Sequence, residues 1–134
     1  MQMLQPPGWA KPKGFSNGIA ASGRLVFIAG QIGWTGEGKW EARNFAGQFR
    51  QTLVNTLAVL AQAGGKPEHI VRMTWYIIDK EEYLAAVKEV GAAYRELMGR
   101  HFPTMAVVQV SALVENEARL EIESTAVVPQ ESPA

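Results

Sequence analysis

The run His101-Phe102-Pro103-Thr104-Met105-Ala106-Val107-Val108-Gln109-Val110-Ser111-Ala112-Leu113, then Glu115-Asn116-Glu117, then Arg119-Leu120-Glu121-Ile122-Glu123-Ser124-Thr125-Ala126-Val127-Val128, decides how this chain folds. Both arms are rich in Val, Ile and Thr, which suit a pleated, half-buried surface, and the acidic break between them holds no apolar residue. Two antiparallel strands joined as a hairpin are the expectation. Pro103 lies just ahead of the first arm, where a missing N–H does least harm to a ladder. In the second arm Leu120, Ile122, Ser124 and Ala126 alternate with Glu121, Glu123, Thr125 and Val127, and period two puts both carboxylates on one face. Pattern alone assigns that face to water, because acidic side chains are seldom buried unpaired.

Upstream, Phe45, Phe49, Leu53, Val54, Leu57, Leu60 and Ala61 recur at spacings of three and four, which predicts a helix between Asn44 and Ala63, with Gln48, Arg50, Gln51 and Asn55 pointing away from the stripe. Gly64-Gly65 and Pro67 supply its stop. Ile70 to Ile78 is rich in β-branched and aromatic residues and reads as a strand. Asp79 with Glu82 forms a capping-box pattern, so a second helix starts there, buries Tyr83, Val87, Val90, Gly91, Tyr94, Leu97 and Met98, and ends at Gly99.

Towards the N-terminus, Ile19-Ala20-Ala21, the turn pair Ser22-Gly23 and Leu25-Val26-Phe27-Ile28-Ala29 read as a first hairpin. Its second strand is apolar throughout, as a central strand covered on both faces would be. Between Gly30 and Glu41 four glycines and the pair Trp34 and Trp40 form a loop, which lacks the Gly-Lys-Ser/Thr ending of a phosphate-binding loop. Residues 1–13 hold Pro6, Pro7 and Pro12 and read as an extended arm with little ladder pairing, from which Trp9 clamps onto the domain surface. A single domain over 14–129 follows, then a tail over 130–134. The order β-β-α-β-α-β-β predicts an α+β fold, an antiparallel or mixed sheet with two helices on one face. Its other face needs a covering surface.

The composition narrows the function classes. Thirteen basic and thirteen acidic residues in 134 give zero formal net charge, and the Lys and Arg residues are scattered singly. That argues against nucleic acid as the partner, since backbone binding draws on clustered cations. It also offers little protection against self-association. There is no cysteine, hence no disulfide and no thiolate metal site. No signal-like start or membrane-length apolar run is present, so the cytosol and no membrane partner are expected. His69 in a turn and His101 past a helix end read as surface or capping residues, and nothing spells a metal site or a cofactor.

The arrangement Phe102-Pro103, a Val-rich strand and a closing Leu120-Glu121-Ile122-Glu123-Ser124-Thr125-Ala126-Val127 resembles the C-terminal signature of the RidA (YjgF-type) family of enamine/imine deaminases. Ala29-Gly30-Gln31-Ile32 is similar to that family's Ser-Gly-Gln segment, and Arg72-Met73-Thr74-Trp75-Tyr76-Ile77-Ile78-Asp79 with Tyr83 to its central strand and helix start. The likeness runs from about Gly14 to Val128, in the family's order. It implies a chorismate-mutase-like fold, a homotrimer, and small-molecule pockets in the clefts between subunits. Relatives described as ribonucleases are set aside on the charge argument.

The resemblance also implies residues. Glu121 aligns with the glutamate that orients water and Glu123 with the second acid of the motif, while the N–H of Gly30 can hold a ligand oxygen. The arginine that grips a substrate carboxylate is replaced by Met105, whose thioether cannot make a bidentate charged contact. Phe15 stands for a tyrosine, Ala29 for a serine, Gly91 for an asparagine and Val107 for a cysteine. Each swap deletes a polar group from the expected pocket, and Arg24, Arg72 and Arg119 are the candidates for a replacement cation. Two functions follow: hydrolysis of an imine or enamine less anionic or more aromatic than usual, with Glu121 handling the water, or non-catalytic binding of an apolar or aromatic small molecule.

Overall fold

Two helices laid across one face of a four-stranded sheet organise the molecule, seen in a computed structural model that describes residues 1–130. The elements are β1 (Gln2–Leu4), β2 (Gly18–Ala20), β3 (Arg24–Gln31), α1 (Phe45–Ala61), β4 (Ile70–Ile77), α2 (Lys80–Ala85), α3 (Val87–Met98), β5 (Thr104–Gln109) and β6 (Leu120–Val128). A single 3-10 turn at Pro67–His69 leads into β4. The fold is α+β, as expected. Beyond residue 130 the expected tail lies outside the described residues.

The sheet order is β3-β6-β4-β5, antiparallel except for the parallel pair of β4 with β5. The expected hairpin between β5 and β6 is therefore corrected, because β4 lies between them. The ten residues from Val110 to Arg119 give the chain room to step across a strand. The burial explains the choice: β4 and β6 alternate buried with partly exposed positions along their lengths, whereas β5 is half-buried only at its start and suits an edge.

The first hairpin is corrected too. β2 pairs with β1, not with β3, so the arm does carry a ladder, and Trp9 is 63% exposed instead of clamped. β3 is an edge strand, not a central one. Its Val26 and Ile28 pack towards the helices, while Leu25 and Phe27 stand 63% and 75% exposed on the other face. Apolarity on both sides of β3 thus reflects a core on one side and an uncovered surface on the other. Gly23, at φ 148°, is required where it stands, since a Cβ there would collide with the Val128 carbonyl.

The helices behave much as their periodicity predicts. Asn44 caps α1, its Oδ1 accepting the Gly47 N–H at 2.9 Å, and Phe49, Leu53 and Leu60 are wholly buried against β4 and β6. Truncating a buried Phe such as Phe49 costs about 3–5 kcal/mol. Gln48, expected to point away, is buried instead. Its Nε2 donates to the Glu117 carbonyl at 2.9 Å and its Oε1 accepts the Arg119 N–H at 2.8 Å, tying α1 to the start of β6. Asn55 likewise turns to the domain and donates to the carbonyls of Ile32 and Trp34 at 3.1 and 2.7 Å.

The second helix is divided at Ala86 into α2 and α3. Asp79 caps α2 by accepting the N–H groups of Glu81 and Glu82 at 2.9 and 3.3 Å. Glu82 does not complete the box; its carboxylate pairs with Arg119 at 2.8 Å. Val87, expected in the buried stripe, is 47% exposed at the break. Gly99 ends α3 at φ 67°, as its position predicts.

Candidate functional site

The expected pocket residues divide into two groups on opposite faces of the sheet. Phe15, Gly91, Met105 and Val107 line one cleft of about 490 Å³ between α3, the β4–β5 edge and the segment around Lys13. Strand register explains the pair from β5: Met105 lies beside Met73 and Val107 beside Trp75, both of which face the helices. Gly91 brings α3 to the same hollow without a side chain of its own.

Aromatic rings build the rest of that wall. Trp75 meets Tyr83 edge-on at 6.4 Å between centroids, and Tyr94 stacks on Phe102 at 5.6 Å with their planes 5° apart. The Tyr94 hydroxyl donates to the His101 carbonyl, and burial pushes its pKa well above the usual tyrosine range. Burial raises Tyr83 as well. Among the described residues no acidic side chain lines the cleft, and its two charged residues are Lys13 and Arg95.

Ala29, Gly30 and Glu121 lie on the far side. The β3–β6 register shifts between Ile28 and Gln31, so the chain bulges at Ala29-Gly30. A Cβ on Gly30 would run into the Glu121 carboxylate, which places the acid against the bare backbone of residue 30. Glu121 lies beside Tyr76 in the ladder, on the uncovered face. There the Tyr76 hydroxyl donates to Glu123 Oε1 at 2.5 Å, and that bond, ahead of burial, raises the tyrosine's pKa. Ala29 borders a second hollow on this face, of about 480 Å³, with Phe27, Arg72 and Glu123.

None of the three candidate replacement cations, which a neighbouring copy could also supply, lines the cleft of its own chain. Arg24 donates to the Ala63 carbonyl at 2.6 Å, Arg119 is paired with Glu82, and Arg72 lies on the uncovered face. Lys13, Trp75, Tyr83 and Arg95 were missed from the sequence. Arg95 was within reach of that reading, four residues after Gly91 and so on the same helix face. His69 accepts the Lys66 N–H at its Nδ1 and His101 Nε2 meets the Ile70 carbonyl, so both imidazoles serve local structure. Among the described residues no three His, Cys, Asp or Glu side chains gather where they could hold a metal.

The family model described as Endoribonuclease L-PSP matches residues 9–128. A Rid-family protein of unknown function, YyfB from Yersinia pestis, superimposes with a TM-score of 0.81 at 32% identity, covering 95% of this chain and 98% of that one. The chain belongs to the RidA/YjgF family. Another RidA-family relative is TdcF of Escherichia coli K12, provisionally named a reactive intermediate deaminase, 34% identical over 111 residues that cover 78% of this chain and 80% of TdcF. Escherichia coli TdcF solved with bound serine has a TM-score of 0.67 at 27% identity, with 96% and 99% of the two chains covered. Among the described residues no helix is long and apolar enough to cross a membrane.

Proposed function

We propose that this RidA-family protein hydrolyses an imine or enamine with a larger apolar or aromatic body than that of small amino-acid imines, at a site completed between the subunits of a homotrimer. One observation carries the reading. The cleft residues Phe15, Gly91, Met105 and Val107 gather on the helix-covered face, and Gly30 with Glu121 on the uncovered one. A reaction that needs both groups needs two copies of the chain. The exposed Leu25 and Phe27 supply the apolar surface through which copies meet.

In that arrangement the cleft of one protomer holds the organic body, and the Gly30–Glu121 edge of its neighbour faces the C=N bond. Glu121 takes a proton from water as the oxygen attacks the carbon and passes it to the nitrogen, giving a carbinolamine; it then takes the hydroxyl proton and delivers it to the nitrogen as the C–N bond breaks, releasing a carbonyl compound and ammonia. The Gly30 N–H holds the developing oxygen. TdcF, a relative of the same fold, has been solved with serine bound, which supports an amino-acid-derived ligand here, with a larger side chain. Single, scattered cations and zero net charge favour a small molecule over nucleic acid. The test is turnover of imines generated in situ by an amino-acid oxidase: Glu121→Gln should abolish it, and equal rates for variant and wild type would contradict the proposal.

A second reading, non-catalytic binding of an apolar or aromatic molecule, is favoured by a cleft whose lining among the described residues holds no acid. It predicts thermal stabilisation by aromatic ligands with no turnover of any imine.

A further inference from the structure

The anion grip missing at Met105 leaves the question of what balances the charge of a ligand in this cleft. The ion pairs among the described residues join Lys39 to Glu37, Arg50 to Glu96 and Arg119 to Glu82. Arg95 joins none of them, although it borders the cleft. Its guanidinium lies over Gly91: a Cβ on that glycine would sit 3.4 Å from Arg95 Nη1, with nothing else within 4 Å. The arginine one helical turn later thus lies across the bare backbone of residue 91, beside the hollow. Lys13 brings a second positive charge to the same hollow, and among the described residues no carboxylate lines it.

The inner wall supplies a second, independent sign of a ligand. Trp75 is 4% exposed, lines the cleft, and its Nε1–H has no acceptor among the described residues. Buried donors are nearly always satisfied, so for one without a protein acceptor beside a cavity the partners left are a water or a ligand. The remaining wall is apolar and aromatic. A volume of about 490 Å³ falls within the range of small-molecule sites, roughly 300–1,000 Å³.

We infer that Arg95, assisted by Lys13, is the anion-holding and specificity-determining residue of this cleft, and that its ligand is a monocarboxylate with an aromatic or branched apolar body. The carboxylate meets the guanidinium at the rim, the body lies against Trp75, Tyr83 and Met105, and a further acceptor on the ligand takes the Trp75 N–H. Moving the cation from the strand to the helix opens the space at residue 105 to carbon. This inference rests on the cleft being the ligand half of the site proposed above, but not on Glu121 chemistry.

Titration calorimetry with phenylacetate, its neutral analogue phenylacetamide, and acetate separates the contributions. Phenylacetate should bind wild type at least roughly tenfold more tightly than either of the other two. Arg95→Gln should lose roughly tenfold or more for phenylacetate without changing phenylacetamide, Arg95→Lys should recover part of the loss, and Lys13→Gln should lose less. Arg50→Gln, which removes an exposed cation paired with Glu96 away from the cleft, should bind phenylacetate as wild type does. Phenylacetate affinity unchanged by Arg95→Gln, an amide that binds as tightly as the acid, or no phenylacetate binding at millimolar concentration overturns the inference. Normal imine turnover in Arg95→Gln with none in Glu121→Gln would remove the anchor and leave the hydrolase reading standing. Loss of phenylacetate binding in Arg95→Gln with unaltered turnover in Glu121→Gln would do the reverse.

Discussion

Met105 and Glu121 lie on opposite faces of one sheet: the thioether stands beside Met73 against the helices, and the carboxylate beside Tyr76 on the side the helices leave open. Residues that a family pattern places around one ligand are thus held apart within a single chain. The separation follows from period two, since 73 and 76 are an odd number of residues apart on β4.

Gly30→Ala tests how closely backbone and acid are fitted. The added Cβ meets the Glu121 carboxylate and must displace it, while Gly30 itself is exposed and not held at positive φ. Imine turnover should fall by roughly a hundredfold through kcat, as when an atom near the chemistry moves by about 1 Å. Thermal melting should barely change. Unaltered kcat would show that the carboxylate position is not critical.

Gln48→Leu should destabilise the protein although it adds apolar surface. The variant strips the acceptor from the Arg119 N–H and the donor from the Glu117 carbonyl, which are bonded at 2.8 and 2.9 Å. Leaving such groups unpaired costs about 1–3 kcal/mol each where they stay buried. Urea unfolding measures it, and a variant as stable as wild type would mean that water replaces both bonds.

Alkaline stability carries the mark of Tyr94. Burial raises its pKa above the reference value of 10.0. Its neutral form is thus favoured in the folded state. The associated stability is fully present below pH 10, where the unfolded chain also keeps the proton, and is lost as pH rises towards the folded pKa. Denaturant midpoints of wild type should decline above pH 10 more steeply than those of Tyr94→Phe, and parallel declines would refute this source.

Much of this architecture is written locally. Alternation from Leu120 to Val127 places the two strand faces, the stripe from Phe45 to Leu60 places α1, and Asp79 caps α2 as its spacing predicts. Partnership is another matter. β5 and β6 carry the same kind of pattern whether they pair with each other or both flank β4, because alternation specifies a face and not a neighbour. The turn pair at Ser22-Gly23 suggested a hairpin where Gly23 instead serves a close approach to Val128. Gln48 is polar at a helix position whose burial depends on two carbonyl and amide groups nearly seventy residues later. The expected site residues were dispersed for a similar reason: linear order does not say which sheet face a residue takes, and Arg95 joins the cleft as a neighbour of Gly91 on the same helix face.

Met105→Arg restores the guanidinium that the family resemblance places on β5. Turnover of imines from small amino acids should rise by roughly tenfold or more in kcat/KM, the effect of one charge-assisted pair of hydrogen bonds. An unchanged ratio would show that the cleft and the Glu121 edge differ from the family arrangement at more than this position.

The most direct measurement is activity after subunit mixing. Glu121→Gln lacks the acid, and Val107→Trp fills the cleft, so each alone should be inactive on imines. Unfolded together and refolded as mixed oligomers, they should regain about a quarter of wild-type activity, since a site shared between neighbours draws an intact acid and an intact cleft independently, each with even odds. Activity no higher than that of either parent, with mixed oligomers confirmed by mass, would contradict a site built from the opposite faces of two subunits.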